Sequence, residues 1–297
     1  MKKYLGVDIG GGSIRGSVID GSGKIYCEYH EPTERYCDNE IFLNTVERVI
    51  EKNYNNEKFS AVGIGSPGPI DIDTGVIFSS ANLVNLKNTA LVERIKNKFN
   101  LPVKFNNDAN CAALGEFHFG KGKGSVSLIV ITLGTGLGAG WVFDGKIFNG
   151  FKGNGMEAGH VTVVMDGARC GCGQNGCAES YFGARGFLNR YQDKTGTTLG
   201  SAIDFFALVT KKDPVALEIL DFGSRVLAEL IRNLIHIANP EKIILVGGLT
   251  KSFDLYGKQL TKKVSEIIFP VFRNYTKIEV GGDVAGTLGA AALSFHH

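Results

Sequence analysis

The 297-residue chain lacks both an excess of charge and a long apolar run. Its 32 Lys and Arg residues nearly balance its 30 Asp and Glu residues, so we expect no surface for nucleic acid or an anionic membrane. No apolar stretch approaches the roughly 20 residues of a membrane span. The apolar stretch near the N-terminus is also too short for a secretory signal. These absences predict a cytoplasmic protein without nucleic-acid or membrane partners.

Cysteine is scarce and glycine is abundant. Six cysteines in a cytosolic chain of this length do not suggest a disulfide scaffold. The 40 glycines are about double ordinary usage, and they occur in clusters. Clustered glycine indicates loops in which the backbone approaches a ligand closely.

Two strand–glycine–strand segments are related by a shift of 124 residues. The shift places Gly10 on Gly134, and it also superimposes the Asp-Gly pairs that follow, Asp20-Gly21 and Asp144-Gly145. Chance matching of glycine-rich segments is the alternative interpretation. We expect two duplicated α/β domains that face each other across a cleft. The predicted domains are a small one over residues 1–118 and a larger one over 119–283, with a helix at about 284–297 packing back on the first.

The glycine segments "DIGGGSIRGS" and "LGTGLGAG" are candidate phosphate-binding turns. Backbone N–H groups in such turns can converge on phosphate oxygens, and missing side chains permit close approach. Neither segment is a Walker loop or a dinucleotide fingerprint. Plain structural turns are the alternative. With the downstream "VGG", the nucleotide-binding candidates are Asp8, Gly10, Gly11, Gly12, Ser13, Thr135, Gly136, Gly247 and Gly248.

Two aspartates are candidates for direct roles in metal binding and catalysis. Asp8 ends the first predicted strand and could orient Mg²⁺ through water, although a strand-end turn aspartate is the alternative. Asp108, in "KFNNDANCAALGE", lies between a predicted strand end and a helix start. A carboxylate there is often only a helix N-cap. The functional alternative is a general base that accepts the proton of a hydroxyl during phosphoryl transfer.

Three cysteines lie within eight residues in "RCGCGQNGCAES". Cys170, Cys172 and Cys177 form with the upstream His160 a Cys₃His set, which is a known structural zinc composition. Free thiols and a disulfide are the alternatives. Four protein ligands leave no open position for substrate, so zinc would fix the segment 157–179 rather than perform chemistry.

Taken together, "VDIGGGSIRGSVID", "LGTGLGAG", "NNDANCAALGE", "EAGH" and "CGCGQNGCAES" resemble the ROK family of sugar kinases, relatives of hexokinase and actin. The resemblance runs from about residue 4 to the C-terminal helix. It implies a duplicated two-domain actin/hexokinase-like (ribonuclease H-like) α/β fold with a central nucleotide and sugar cleft. It also implies ATP and Mg²⁺ as cofactors beside structural Zn²⁺. One position departs from the family pattern, because Gly12 stands where a threonine is usual.

The resemblance further implies roles for individual residues. Asp108 matches the catalytic base and a sugar ligand of the family, and the other implied sugar ligands are Gly68, Asn82, Asn107, Glu157, His160 and Glu179. The implied activity is ATP-dependent phosphorylation of a hexose, with glucose at its 6-hydroxyl as the expected substrate. N-acetylmannosamine or N-acetylglucosamine are alternative substrates, and a sugar-binding transcriptional regulator is an alternative function. A homodimer or a dimer of dimers is expected.

Overall fold

The structure is a computed structural model and describes residues 1–34, 36–80 and 83–295. Its strands are β1 (Lys3–Ile9), β2 (Ser13–Asp20), β3 (Ile25–Pro32), β4 (Val62–Ser66), β5 (Ile70–Asp71), β6 (Val76–Ile77), β7 (Thr89–Ala90), β8 (Val103–Asn107), β9 (Ser127–Leu133), β10 (Leu137–Phe143), β11 (Lys146–Ile147), β12 (Lys242–Val246) and β13 (Lys277–Val280). Its α-helices are α1 (Asn39–Asn56), α2 (Leu91–Phe99), α3 (Asp108–Phe119), α4 (Ala184–Thr195), α5 (Ala202–Thr210), α6 (Pro214–Ala238), α7 (Phe253–Ile267) and α8 (Ala285–Ala292). The predicted sugar ligand Asn82 lies outside the described residues.

Two five-stranded sheets have the same strand order. The first is β3-β2-β1-β4-β8 and the second is β11-β10-β9-β12-β13. In the first sheet β2 pairs antiparallel with both β1 and β3, and β4 pairs parallel with both β1 and β8. In the second sheet β10 and β11 are antiparallel, and β12 and β13 are parallel. The strand β9 starts and ends 124 residues after β1. The duplication that the glycine pattern predicted is therefore present in the topology.

The chain divides into two compact units. Unit 1 comprises Met1–Val130, Gly140–Met156 and Gly281–His297, and unit 2 comprises Ile131–Ala139 and Glu157–Val280. The predicted boundary between residues 118 and 119 falls inside unit 1, eleven residues before Val130. The helix α8 belongs to unit 1.

The local sequence accounts for the helix boundaries. Asp38 caps α1, where its carboxylate accepts the N–H of Ile41. At α6, Asp213 is the N-cap and Pro214 follows it at the first helical position, where a missing N–H costs nothing. The same helix ends at Asn239, which adopts the left-handed conformation just before a proline.

Small residues bring α3 and α8 close to the first sheet. A Cβ atom on Gly63 of β4 would overlap the carbonyl of Ala290 in α8. A Cβ atom on Gly289 of α8 would likewise overlap the carbonyl of Cys111 in α3. The two helices and the strand therefore meet through backbone atoms rather than through side chains. This close packing holds both helices against the sheet.

No helix among the described residues is both long and apolar enough to cross a membrane.

We predict that Gly289→Ala lowers the free energy of unfolding by about 1–3 kcal/mol, because the new methyl group has no space. In an unpacked helix the same change would stabilise by up to about 1 kcal/mol. Urea denaturation of both proteins measures the difference. The control is Gly21→Ala, at a position where a Cβ atom meets nothing within 4 Å, and a change within about 0.5 kcal/mol is expected there. Equal stability of Gly289→Ala and the wild type would contradict the prediction.

Candidate active site

Three parallel strands of unit 1 end at one edge of the first sheet. In the strand register Asp8 of β1 pairs with Gly65 of β4, and Ser66 of β4 pairs with Asn107 of β8. Asp8, the loop that contains Gly68 and the pair Asn107-Asp108 therefore meet at this edge. Ligands of open α/β sheets bind at the carboxyl ends of the strands.

Asn107, and not Asp108, is the N-cap of α3. The Asn107 Oδ1 atom accepts the N–H groups of Ala109 at 2.9 Å and Asn110 at 3.3 Å. Asp108 is the first helical residue, and one of its oxygens accepts the N–H of Ala109 at 2.9 Å. Asn107 caps α3, so the alternative interpretation of Asp108 as only the helix N-cap is wrong. Both cap bonds use the oxygen of the Asn107 side chain and not its amide nitrogen, which can donate to a sugar hydroxyl.

Several asparagines that support this edge were not predicted from the sequence. The buried Asn106 accepts from the Asn110 side chain at 3.0 Å and donates to the Asn149 side chain at 2.9 Å. The side chain of Asn154 donates to the Ile70 carbonyl and accepts the Ile70 N–H, at 2.7 and 2.9 Å. The segment 149–154 therefore holds both the end of β8 and the loop after Gly68. Asparagine in a glycine-rich segment is the only sequence feature that could have indicated such a role.

Asp8 has an unusually high pKa. Burial raises the pKa of its carboxyl group to about 6, and the positive charge of Arg15 opposes this rise. The first turn of α8 covers the carboxylate closely, since a Cβ on Gly286 would lie 2.6 Å from its Oδ2 atom. A cavity of about 310 Å³ opens beside it, lined also by His30 and Asp283. The site therefore accommodates polar ligand atoms next to Asp8.

In the first glycine turn, carbonyl groups accept hydrogen bonds from the protein, whereas two N–H groups are left for a ligand. The Gly12 carbonyl accepts the N–H of Thr33 at 3.2 Å, and the Gly10 carbonyl accepts its hydroxyl at 2.9 Å. Within the described part of the chain, no hydrogen bond uses the N–H groups of Gly11 or Gly12. The Ser13 hydroxyl accepts from Arg15 at 3.1 Å, so its own hydrogen is available to a ligand. Such a turn suits an anion.

Glu116 is a second residue that the sequence did not single out. Its carboxylate is 1% exposed and accepts the N–H of Lys121 at 2.8 Å and the N–H of Gly282 at 2.6 Å. Two backbone donors stabilise a buried carboxylate that has no cation beside it in these contacts. Glu116 thereby ties the segment just before α8 to the end of α3.

The second glycine turn, in unit 2, has the same polarity as the first. The carbonyls of Gly134 and Thr135 accept the N–H groups of Ala184 at 3.0 Å and Arg185 at 3.2 Å. Among the described residues, no acceptor is bound to the N–H of Thr135 or Gly136. Two amides that point away from occupied carbonyls form a potential phosphate site.

Gly247 lies beside this turn. It has φ of +102°, a conformation that favours glycine, and a Cβ atom there would lie 2.6 Å from the Leu133 carbonyl. Gly248 begins the short 3₁₀ helix Gly248–Ser252 directly after β12. The structure therefore places Gly247 and Gly248 near the end of β9, where the second glycine turn starts.

Glu157, His160 and Glu179 belong to unit 2 and lie close enough to influence one another. Partial desolvation raises the pKa of Glu157, the positive charge available on His160 lowers it, and the Glu179 carboxylate raises it further. By surface area Glu157 is exposed. The Glu179 Oε2 atom accepts the N–H of Leu137 at 2.8 Å.

The predicted metal ligands form one cluster. The ligand atoms of His160, Cys170, Cys172 and Cys177 all lie within 4.8 Å of one another. The His160 Nδ1 atom is 3.6 Å from the Cys170 Sγ atom, and the Cys172 and Cys177 Sγ atoms are also 3.6 Å apart. Zinc–sulfur bonds of about 2.3 Å at tetrahedral angles place sulfur atoms about 3.7 Å apart. The four residues therefore fit a structural zinc ion.

The two ring nitrogens of His160 face different surroundings. Its Nδ1 atom is the one on the thiol side, which leaves Nε2 for a different partner. Burial, together with hydrogen bonds that the protonated Cys177 thiol donates to Cys172 and Cys170, raises the pKa of Cys177 to about 12. Because zinc binds thiolates, loading the site releases protons.

Comparison with known proteins identifies the class. The model of the ROK family matches residues 4–296. A glucokinase from Thermotoga maritima is 33% identical over 98% of this chain and 96% of its own, and an N-acetyl-D-glucosamine kinase from Escherichia coli is 32% identical over 98% of each. A crystal structure of a ROK family glucokinase from Streptomyces griseus, in complex with glucose and AMPPNP, has a TM-score of 0.86 and 28% identity over 99% of this chain and 100% of that one.

The chain has the hexokinase-like α/β fold of these kinases. It belongs to the ROK family.

We predict that Cys172→Ser lowers the zinc content from one ion per chain to well below one, because a serine hydroxyl does not replace a thiolate ligand. Elemental analysis of the purified proteins measures the metal. The matched control is Cys27→Ser, on β3 and outside the cluster, which should keep its zinc. Full zinc in the Cys172 variant would contradict the ligand set.

We predict that Asp8→Asn raises the free energy of unfolding at pH 8 by about 1–3 kcal/mol. The raised pKa means that protonated Asp8 stabilises the fold fully below pH 3.8, and that this stability is lost as the pH rises through about 6. An amide cannot ionise, so the gain should be smaller at pH 4.5 than at pH 8. Urea denaturation at the two pH values measures it, and a gain that is equal at both would argue against burial as the cause.

Proposed function

We propose that this protein transfers the γ-phosphoryl group of ATP to the 6-hydroxyl of glucose. The coarser activity, ATP-dependent phosphorylation of a sugar, is supported by the family and by relatives that are glucokinases and an N-acetyl-D-glucosamine kinase. The observation that carries the proposal is the position of Asp108. It stands at the carboxyl edge of three parallel strands, and Asn107 relieves it of capping α3.

Asp108 acts as the general base. The sugar hydroxyl attacks the γ-phosphorus, the bond from that phosphorus to the β,γ-bridging oxygen breaks, and ADP leaves. The hydroxyl proton passes to the Asp108 carboxylate. The asparagine beside it and the backbone of the loop at Gly68 orient the sugar.

The glycine turns bind the phosphates. In unit 1, the N–H groups of Gly11 and Gly12 have no acceptor among the described residues, and the Ser13 hydroxyl supplies the contact that a threonine usually makes in the family. Gly10 closes the turn, since its N–H donates to the Ser13 carbonyl at 2.9 Å. In unit 2, Thr135 and Gly136 offer two more. Mg²⁺, when bound, neutralises phosphate charge, and Asp8 is the carboxylate placed to hold its water ligands.

Glu157, His160 and Glu179 bind the remaining sugar hydroxyls from unit 2. A buried hydroxyl left unpaired costs about 1–3 kcal/mol, so a hexose needs several such partners. His160 would bind zinc through its Nδ1 atom, which would leave the other ring nitrogen for a sugar hydroxyl.

N-acetylglucosamine is the second candidate substrate. The Escherichia coli N-acetyl-D-glucosamine kinase matches this chain at 32% identity, nearly the 33% of the glucokinase. N-acetylmannosamine would use the same carboxylates. Coupled ADP-release assays with glucose, mannose and the two N-acetylhexosamines decide among them. The highest kcat/KM with glucose is expected, and a higher value with an N-acetylhexosamine would replace glucose as the proposed substrate.

Two further properties accompany the proposal. We propose that the protein works in the cytoplasm, where ATP is available, and that it forms a homodimer or a dimer of dimers. Light scattering after size-exclusion chromatography measures the second.

We predict that Asp108→Asn lowers kcat by about 10²–10⁴-fold, because the amide cannot accept the proton. The dissociation constant of the sugar should change much less, since size and shape are kept. Asp204→Asn is the matched control, because Asp204 is an exposed aspartate in the first turn of α5. Wild-type kcat in the Asp108 variant would exclude it as the base.

A further inference from the structure

Glu179 connects two motifs that are 42 residues apart. It follows the last cysteine of the metal cluster by two residues, and its Oε2 atom accepts the Leu137 N–H at 2.8 Å. Leu137 is the first residue after the second glycine turn. A residue of the proposed sugar site thus holds the backbone of the proposed nucleotide site.

The Glu179 carboxylate occupies the space that a side chain at Gly136 would need, and it does not approach Gly134 in this way. A Cβ atom on Gly136 would overlap the Glu179 Oε2 atom, whereas a Cβ atom on Gly134 would meet nothing within 4 Å. Neither glycine has a positive φ, so the difference between them is one of space and not of backbone conformation. The absence of a side chain at Gly136 is therefore required by Glu179 itself.

Two more hydrogen bonds join the same segments. The N–H groups of Ala184 and Arg185, at the start of α4, donate to the carbonyls of Gly134 and Thr135 at 3.0 and 3.2 Å. Because Glu179 lies only five residues before α4, the segment 179–185 and the turn are linked at three points. Movement of either piece is transmitted to the other.

The second oxygen of Glu179 has no hydrogen-bond partner in the described part of the chain. The residue is half-buried, so part of its surface is open to a ligand. A carboxylate accepts through both oxygens at once, which an amide cannot do.

We infer that Glu179 couples sugar binding to nucleotide binding, with its Oε1 atom accepting a sugar hydroxyl while its Oε2 atom holds the second glycine turn. This inference rests on the proposed function. A bound hydroxyl restricts the Glu179 side chain, and the restricted side chain fixes the Leu137 N–H and the amides of Thr135 and Gly136. By linkage, sugar tightens nucleotide binding and nucleotide tightens sugar binding by the same factor.

The first experiment measures glucose binding by calorimetry with no nucleotide present. Gly136→Ala, a change in the nucleotide turn, should weaken glucose binding at least about tenfold, because the new methyl group displaces the Glu179 carboxylate. Gly134→Ala is the matched change in the same turn and should alter the glucose dissociation constant less than twofold. A turn that serves nucleotide alone would leave glucose binding unchanged in both variants, and that result would overturn the inference.

The second experiment measures the coupling factor, which is the ratio of the dissociation constants of Mg·AMPPNP without and with saturating glucose. A factor of at least about 5 is expected for the wild type, in the usual range of such couplings. The isosteric variant Glu179→Gln keeps the fold and should bring the factor close to 1, because its single amide oxygen serves either Leu137 or the sugar. A factor in Glu179→Gln equal to that of the wild type would contradict the coupling role.

The outcomes separate the inference from the proposed function. If the wild type binds and phosphorylates none of the hexoses tested, the proposed function is wrong and the coupling falls with it. If the wild type phosphorylates a hexose with a coupling factor near 1, the proposed function stands and the inference alone is wrong. When the sugar panel selects N-acetylglucosamine, that sugar replaces glucose in both measurements.

Discussion

Contact between backbones, without side chains in between, is the constraint on which unit 1 depends. Gly63 places β4 directly against α8, and Gly289 places α8 directly against α3. With no Cβ atoms in the way, both helices lie low on the sheet, and their first residues reach its carboxyl edge. One helix thereby starts with Asp108 at this edge, and the other covers Asp8. Larger residues at the two glycines would move the helices outward, which would shift Asp108 from the strand ends and uncover Asp8.

The polarity of the backbone complements these carboxylates. In both glycine turns the carbonyls are occupied by protein donors, at Thr33 in one and at the start of α4 in the other, while amide groups remain. An anion meets donors at each turn, whereas Asp8 in unit 1 presents negative charge. Within unit 1, the partial positive charge of the first turn and the Asp8 carboxylate suit a phosphate group that carries a cation. The elevated pKa of Asp8 reflects the cost of burying that charge.

Much of this arrangement could be predicted from the sequence. The features that could not be predicted share a physical reason, which is that they depend on three-dimensional geometry or on contacts between distant residues. The duplication and the metal ligands were readable because they are fixed spacings: 124 residues between glycine turns, and Cys₃ with an upstream histidine. Asn107 and Asp108 were not separable, because both residue types cap helices and only the geometry of α3 assigns the role. The contacts of Glu116 and Asn154 join residues more than 80 positions apart, and no local pattern encodes such pairs. The domain boundary is likewise set by contacts between distant segments.

The position of α8 in the chain has a consequence for biosynthesis. The helix belongs to unit 1, yet the whole of unit 2 is translated between α3 and α8. At synthesis rates of about 5–20 residues per second, the first sheet waits many seconds before the helix that covers Gly63 leaves the ribosome. During that time α3 can pack on β4, but the surface that α8 covers on β1 has no covering helix, and Asp8 lacks the turn that encloses its carboxylate. The nascent chain therefore carries an incomplete unit 1 through most of its synthesis, and this interval is when it is most exposed to aggregation or to chaperones.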